Sequence, residues 1–104
     1  NEHKKSIEAV DNLDHCEFFV RFMMFSEELS DMISTIESRL ISRYNPLWNT
    51  TIDGFGNHDP GKGRYQQAKS DWDVLHPGRA FADKCLGAHN SLEAVLSKIA
   101  TTIK

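Results

Sequence analysis

The sequence is poor in cysteine and has no long apolar run. Two cysteines in 104 residues are too few for a disulfide framework, and we expect both Cys16 and Cys85 to be buried thiols of a reducing compartment. No apolar run approaches the length of a membrane span, and no signal peptide is visible. The net charge of −3 argues against a general polyanion binder. These absences leave a single domain with a modest core, or a fragment of a longer chain, over residues 1–104.

One segment, residues 43–79, concentrates the unusual residues. It holds all three prolines, five of the six glycines and both tryptophans. A polar, glycine-rich segment that carries aromatics typically packs by its own side chains and often bears a site. It has five basic and four acidic residues, whereas residues 1–42 have four basic and nine acidic ones. An anionic partner would therefore bind at this segment.

The remaining residues predict one strand and several helices. Alternating apolar residues over 16–25 indicate a strand, which we expect to be central and covered on at least one side. Helical spacing, capping residues and breakers predict the helices: residues 1–10, 26–43, 79–86 and the stretch after Asn90 or Ser91. We therefore predict an α+β fold with one long apolar strand, three to four helices and a long ordered loop segment.

Two side chains with oxygen ligands lie near the start of the segment. Glu37 is on the edge of the apolar stripe of the second helix, where a partly desolvated carboxylate suits a metal ligand or a base, although most helix carboxylates are simply solvated. Asn49 follows twelve residues later, as either a turn amide or a neutral oxygen ligand. Because a hard cation such as Mg²⁺ completes its shell with water and phosphate oxygens, this pair would be enough to bind it.

The histidines show no zinc pattern. His3 is alone near a helix end, where a histidine is more often a surface or capping residue than a catalyst. His58 and His76 lie beside turn residues and can lock a loop by hydrogen bonds. No two histidines have metalloprotease or zinc-finger spacing, so a zinc site is not expected.

The glycine-dense stretch 54–64 is neither a phosphate-binding Walker loop nor a dinucleotide fingerprint, so no organic cofactor is predicted. Its backbone allows close approach beside Lys62 and Arg64, and Gln67 and Lys69 follow. Such side chains contact bases and phosphates in DNA; the alternative is a solvated loop. The aromatic residues of the segment are expected to anchor it to the body rather than to stack on bases: Trp48, Phe55 and Trp72.

The strings PLWNTTIDGFGNHDPGKGRY and WDVLHPGR resemble the C-terminal half of a group of bacterial type II restriction endonucleases of the GIY-YIG superfamily, which cut a GC-rich palindrome. The resemblance is strongest over residues 43–81 and extends from residue 1 to about 86. It implies a partial GIY-YIG-type α/β nuclease fold, in the C-terminal part of a cytoplasmic bacterial restriction-modification enzyme. It also implies hydrolysis of double-stranded DNA with Mg²⁺ or Mn²⁺ by a homodimer, without membrane or organic cofactor.

The resemblance gives roles to single residues. His3 is similar to the active-site histidine of the family, Glu37 to its metal-binding glutamate and Asn49 to the asparagine near the end of these sites, in the same order and at the same spacing. Segment 43–79 becomes the DNA-recognition segment. The DNA contacts that we predict in it are Lys62, Arg64, Lys69 and Arg79, followed by His58 and Gln67.

The chain also departs from the family pattern. The two tyrosine-bearing strands that name the superfamily are absent, and the arginine expected one helical turn before His3 would lie upstream. We therefore expect the chain alone to supply the metal side of the reaction and not to cleave DNA. The exposed edge of the 16–25 strand would then favour self-association. The alternative function is a non-catalytic DNA-binding or protein-interaction module.

Overall fold

The structure, a computed structural model, describes residues 2–103. Six α-helices follow one another along these residues: α1 (Glu2–Ala9), α2 (Ile33–Tyr44), α3 (Leu47–Thr50), α4 (Asp71–Leu75), α5 (Ala80–Asp83) and α6 (Leu92–Thr102). Two 3₁₀ helices, His15–Glu17 and Glu27–Met32, lie between α1 and α2. No β-strand occurs within the described residues.

The predicted α+β fold and the partial GIY-YIG-type α/β fold are therefore wrong for residues 2–103, which are helical or irregular. The expected strand at 16–25 begins as a 3₁₀ turn and continues as an extended chain with no pairing partner. Its side chains project into solvent: Phe19 is 95% exposed, Phe22 86% and Met24 92%. Alternation of apolar residues identifies a face, but a strand exists only where a neighbouring strand accepts and donates the backbone hydrogen bonds. For the same reason Cys16, expected to be buried, is exposed.

The boundaries of two helices confirm the sequence signals. Asn45 ends α2 in the left-handed conformation, with φ 47°, and Pro46 follows it as predicted. Ser91 caps α6, because its hydroxyl accepts a hydrogen bond from the amide of Ala94 at 3.2 Å. The short helix predicted over 79–86 is smaller than expected and ends at Asp83.

The core is assembled around segment 43–79. Its fully enclosed side chains are Ile52, Trp72 and Val95, with Val10 from the end of α1. The partly buried rings of Trp48 and Phe55 pack against this cluster, which confirms that the aromatic residues anchor the segment. Because large apolar side chains contribute roughly 1.5–3 kcal/mol each when fully buried, these few residues stabilise a disproportionate share of the fold.

A buried carboxylate joins α4 to α6. The Oδ2 atom of Asp71 accepts a hydrogen bond from the ammonium of Lys98, and its Oδ1 accepts one from the Asn90 amide at 2.8 Å. Burial raises the pKa of Asp71, but these hydrogen bonds outweigh burial and leave the pKa below its ordinary value. The ionised carboxylate thereby fixes α6 against the helix that carries Trp72.

Candidate active site and nucleic-acid interface

Glu37 and Asn49 line the same groove. Glu37 is exposed on α2, and Asn49 belongs to α3, the single turn that begins after Pro46. The groove has a volume of about 550 Å³, and most of its other walls are apolar side chains of α2 and of the extended chain before it. α2 ends at Asn45 in the left-handed conformation and α3 begins two residues later, so that two residues twelve apart in sequence lie on separate helices and line one concave surface.

The donors in this groove fit a hard divalent cation that is held mainly by water and substrate oxygens. Glu37 offers a carboxylate and Asn49 an amide oxygen, and Mg²⁺ is commonly bound through one or two carboxylates while it retains several waters. Within residues 2–103, a group of three potential metal ligands occurs elsewhere, at the exposed Asp14, His15 and Cys16. There the charge of Asp14 raises the pKa of the Cys16 thiol, which opposes the thiolate that a soft metal requires.

His3 rests on an aromatic group that extends to α3. Its imidazole stacks on the ring of Phe55, with centroids 4.5 Å apart and planes inclined by 16°. Phe55 in turn lies against Trp48 at a centroid distance of 4.5 Å, and Trp48 directly precedes Asn49. The three predicted catalytic residues are thus connected. Asn49 shares a groove with Glu37, and the residue before Asn49 touches the ring on which His3 rests.

Arg79 is buried and fully engaged by the protein. Its guanidinium forms a two-point ion pair with the buried carboxylate of Asp73, with Nε 2.6 Å from Oδ1 and Nη2 2.8 Å from Oδ2. Its nitrogens also donate to carbonyl oxygens of the loop at residues 54–57: Gly54 at 2.8 Å, Phe55 at 3.1 Å and Asn57 at 3.1 Å. This environment argues against the predicted DNA contact of Arg79 and indicates that the residue shapes the loop.

The other residues of the string WDVLHPGR tie α4 to the end of α1. The Nδ1 atom of His76 lies 2.8 Å from the side-chain oxygen of Asn12, and the Asn12 amide donates to the carbonyl of Leu75 at 2.9 Å. Burial lowers the pKa of His76, so the neutral imidazole donates from Nδ1. Gly78 has φ 147°, and a Cβ there would lie 2.3 Å from the carbonyl oxygen of Ala9. The string is a structural connection rather than a set of reactive groups.

A hydrogen-bonded turn spans residues 59–65. The carboxylate of Asp59 accepts from the amide of Gly61 at 2.9 Å and from the hydroxyl of Tyr65 at 2.6 Å. The hydrogen bond from Tyr65 lowers the pKa of Asp59, and the same bond raises the pKa of Tyr65. Gly61 and Gly63 both have positive φ, 94° and 87°, which the turn requires. The turn presents Lys62 to solvent between two glycines.

The other predicted DNA contacts lie on or beside this turn. Arg64 is exposed on it. A neighbouring cavity of about 260 Å³ is lined by three more of the predicted contacts: His58, Gln67 and Lys69. The Gln67 amide donates to the carbonyl of Arg64 at 2.9 Å, and the ammonium of Lys69 lies 3.6 Å from the carboxylate of Asp83. Five of the six predicted contacts therefore lie on the turn or along the neighbouring cavity, whereas Arg79 is buried.

The sequence analysis missed the residues that hold the site together. Asp73 was not singled out, nor was the contact of Phe55 with His3. One signal for the Asp73–Arg79 pair was available, since opposite charges six residues apart flank the turn-forming Pro77-Gly78. No local pattern signals the stack of His3 on Phe55, because the two residues are far apart in the chain and meet only through the fold.

Comparison with known proteins assigns the sequence to a family. In the part of the chain that the structure describes, no helix is long and apolar enough to cross a membrane. No curated protein matches the sequence. A family model described as the Eco29kI GIY-YIG domain matches residues 1–103, and this confirms the resemblance inferred from the sequence. The chain therefore belongs to the Eco29kI GIY-YIG domain family of restriction endonuclease-like proteins.

Proposed function

We propose that the chain is the part of a bacterial, cytoplasmic type II restriction endonuclease that binds the divalent metal and recognises double-stranded DNA. The observation that carries the proposal is the shared groove of Glu37 and Asn49, with the aromatic contacts that connect it to His3. These residues belong to three different helices. Membership in a family of nuclease domains supports a reaction at a phosphodiester bond.

The roles follow from the donor chemistry. Glu37 is proposed as the protein ligand of Mg²⁺ or Mn²⁺, and Asn49 orients water or a phosphate oxygen beside it. When bound, the metal ion would stabilise negative charge on the phosphate as a Lewis acid. His3, whose imidazole stacks on Phe55, is proposed to donate a hydrogen bond to the phosphate or to transfer a proton there.

The proposed DNA surface consists of the 59–65 turn and the cavity beside it. Lys62 and Arg64 are exposed cations of the kind that contact phosphates and guanine edges. His58, Gln67 and Lys69 line the adjoining cavity, where side chains can reach base edges. The local balance of +1 over residues 43–79, in a chain of net charge −3, favours this surface over the acidic N-terminal region.

Salt dependence of duplex binding tests this surface. Because each released counterion contributes roughly 0.9 to the slope of log K against log salt, Lys62→Ala and Arg64→Ala should each reduce the slope by about one. Arg21→Ala, which removes an exposed cation from another region, is the matched control and should leave the slope unchanged. Equal slopes for all three variants and the wild type would contradict the assignment.

Glu37 is tested by Glu37→Gln in the full-length enzyme, with Glu28→Gln as a control at another exposed carboxylate. Loss of the metal ligand should lower the single-turnover cleavage rate at least about 100-fold, since Lewis-acid stabilisation is worth several kcal/mol. DNA binding should be retained. Cleavage at the wild-type rate would remove Glu37 as the metal ligand.

We also propose that the chain by itself does not cleave DNA. It contains two tyrosines, Tyr44 and Tyr65, and neither lies in a strand that resembles those naming the superfamily. Metal-aided hydrolysis needs a positioned nucleophile as well as a Lewis acid. A plasmid incubated with the chain and Mg²⁺ should remain uncut, and specific cuts would contradict this proposal.

The active enzyme is proposed to be a homodimer, since palindromic sites are read by two-fold symmetric proteins. The exposed apolar side chains over residues 18–25 and along α2 offer a surface that favours association. The competing proposal, a non-catalytic DNA-binding or protein-interaction module, is favoured by the same exposed apolar surface. It predicts salt-dependent duplex binding, or binding of a protein, without metal-dependent cleavage in the full-length protein.

A further inference from the structure

We propose that Arg79, Asp73 and Phe55 are positioning residues that hold His3 in its working orientation. The inference rests on the proposed function, in which His3 acts at the phosphate. It assigns a role to the only contact network that joins α1 to the 54–57 loop through a buried charge among the described residues. Arg79 reaches Phe55 across 24 residues of sequence and Ser6 across 73.

In the first step, Arg79 bonds both to α1, the helix that carries His3, and to Phe55, the residue on which His3 stacks. Its Nη1 atom donates to the hydroxyl of Ser6 at 3.3 Å, and Ser6 lies three residues after His3 on α1. The same nitrogen donates to the carbonyl of Phe55 at 3.1 Å. One guanidinium group therefore fixes the helix that carries the imidazole and the backbone of the residue that supports it.

The second step is the contact between the rings. Phe55 lies between His3 on one side and the indoles of Trp48 and Trp72 on the other, with centroid distances of 4.5, 4.5 and 5.4 Å. Trp72 belongs to the core cluster and Trp48 packs against it, so Phe55 cannot move away from them without losing its packing on the core. Gly56 lies next to the imidazole, since a Cβ there would be 3.9 Å from the His3 Cε1 atom, an ordinary contact distance. The ring of Phe55 is thus a fixed support for His3.

The third step is the chemistry of Arg79. The planar guanidinium group bonds to both oxygens of Asp73 and still reaches three loop carbonyls, and an ammonium group cannot satisfy this geometry. The guanidinium also lies over the Trp72 ring at 4.4 Å from its centroid. With its charge paired and its donors engaged, Arg79 acts through the loop rather than on DNA. Asp73 in turn holds Arg79 in place.

The spectroscopic test uses the ring current of Phe55. In the full-length protein, the His3 ring protons should be shifted upfield by the stacked phenyl group in the NMR spectrum. Phe55→Leu should remove this shift, and Phe55→Tyr, which keeps a ring, should preserve it. A His3 spectrum that is the same in wild type and Phe55→Leu would overturn the inference.

The kinetic test is a double-mutant cycle of His3→Ala and Phe55→Leu, read as the single-turnover cleavage rate with DNA affinity measured separately. Phe55→Leu alone should slow cleavage roughly tenfold through misplacement of the imidazole, with affinity unchanged. In the His3→Ala background it should change the rate by no more than about twofold. Val95→Ala, which weakens the core away from His3, should cleave at the wild-type rate below its melting temperature.

The outcomes separate the two proposals. Additive effects of the two substitutions would overturn the positioning role even if His3→Ala is inactive. Wild-type cleavage by His3→Ala would instead overturn the proposed function of His3, and the positioning role with it, although the ring-current shift would persist.

Discussion

The two halves of the chain use their apolar residues in opposite ways. From Leu47 to Thr102, the rings of Trp48 and Phe55 pack against the buried Trp72, and the charged residues Asp71, Asp73 and Arg79 are buried with partners. From residue 18 to 44, the phenylalanines, methionines and helix stripes remain largely in contact with solvent. The first region is well packed, together with α1 and the residues that follow it, whereas the second leaves most of its apolar side chains uncovered.

This contrast separates two requirements for a fold. Buried polar groups find hydrogen-bond partners and rings find packing partners when both are supplied by a few neighbouring elements, as they are around Arg79. An apolar strand-like sequence needs backbone partners from another strand, and residues 2–103 contain none. We therefore expect substitutions between Leu47 and Thr102 to lower the free energy of unfolding strongly, and substitutions between residues 18 and 44 to lower it little.

The largest effect is expected at the buried ion pair. Asp73→Asn or Arg79→Met removes one charge and leaves its partner buried and uncompensated, so we expect a loss of about 3–5 kcal/mol in the free energy of unfolding. Urea denaturation followed by circular dichroism measures it. Glu2→Gln, which breaks the exposed pair with Lys5, is the control and should cost less than about 1 kcal/mol. Similar losses for the two pairs would remove the distinction between buried and exposed charges.

The next effect compares truncations of isoleucine in the two regions. Ile52 is fully enclosed, so Ile52→Ala should lower the free energy of unfolding by about 2–5 kcal/mol through lost burial and a residual cavity. Ile33→Ala removes the same atoms from a half-exposed position on α2 and should cost well under that amount. The same denaturation experiment measures both. A larger loss for Ile33→Ala would indicate that α2 is covered in solution.

A smaller effect on stability, but a clear effect on association, is expected from the exposed segment. The double substitution of Phe22 and Met24 by serine should change the free energy of unfolding by no more than about 0.5 kcal/mol, because both side chains are already in solvent. It should reduce self-association, measured by size-exclusion chromatography with light scattering. Ser30→Ala, on the neighbouring 3₁₀ helix, serves as a control that leaves the apolar surface intact. A wild-type monomer would contradict the association prediction.

The sequence predicted the parts of the fold that depend on local chemistry. The end of α2 at Asn45, the Ser91 cap of α6 and the anchoring of Trp48, Phe55 and Trp72 all follow from signals within a few residues. The strand prediction failed because a strand needs a neighbouring strand to pair with, and the local pattern of residues 16–25 carries no information about such a neighbour. Arg79 shows the same limit, since its basic charge suggested DNA while its burial depends on Asp73 and on carbonyls more than twenty residues away.

The candidate site was predictable in its members but not in its arrangement. Glu37 was ambiguous from its helix position, and only the resemblance to a nuclease family favoured it as a metal ligand. The groove shared by Glu37 and Asn49 depends on the break between α2 and α3 at Asn45, and the link from His3 to this groove depends on two aromatic contacts. The catalytic roles of these residues stay predictions until cleavage by the variants is measured.

The smallest effect is a pH dependence at the junction of the packed region with α1. Burial lowers the pKa of His76 from 6.5, so the unfolded chain binds more protons than the folded chain between the folded pKa and about 6.5. This contribution to stability is present above pH 6.5 and is lost as the pH falls through the folded pKa. His76→Gln should remove that part of the stability slope in denaturation profiles, whereas Asn12→Ala, which deletes the hydrogen bond but keeps the imidazole, should retain it. An unchanged slope of stability against pH in His76→Gln would mean that the imidazole is solvated in the folded state. The well-packed region would then not extend to the residues after α1.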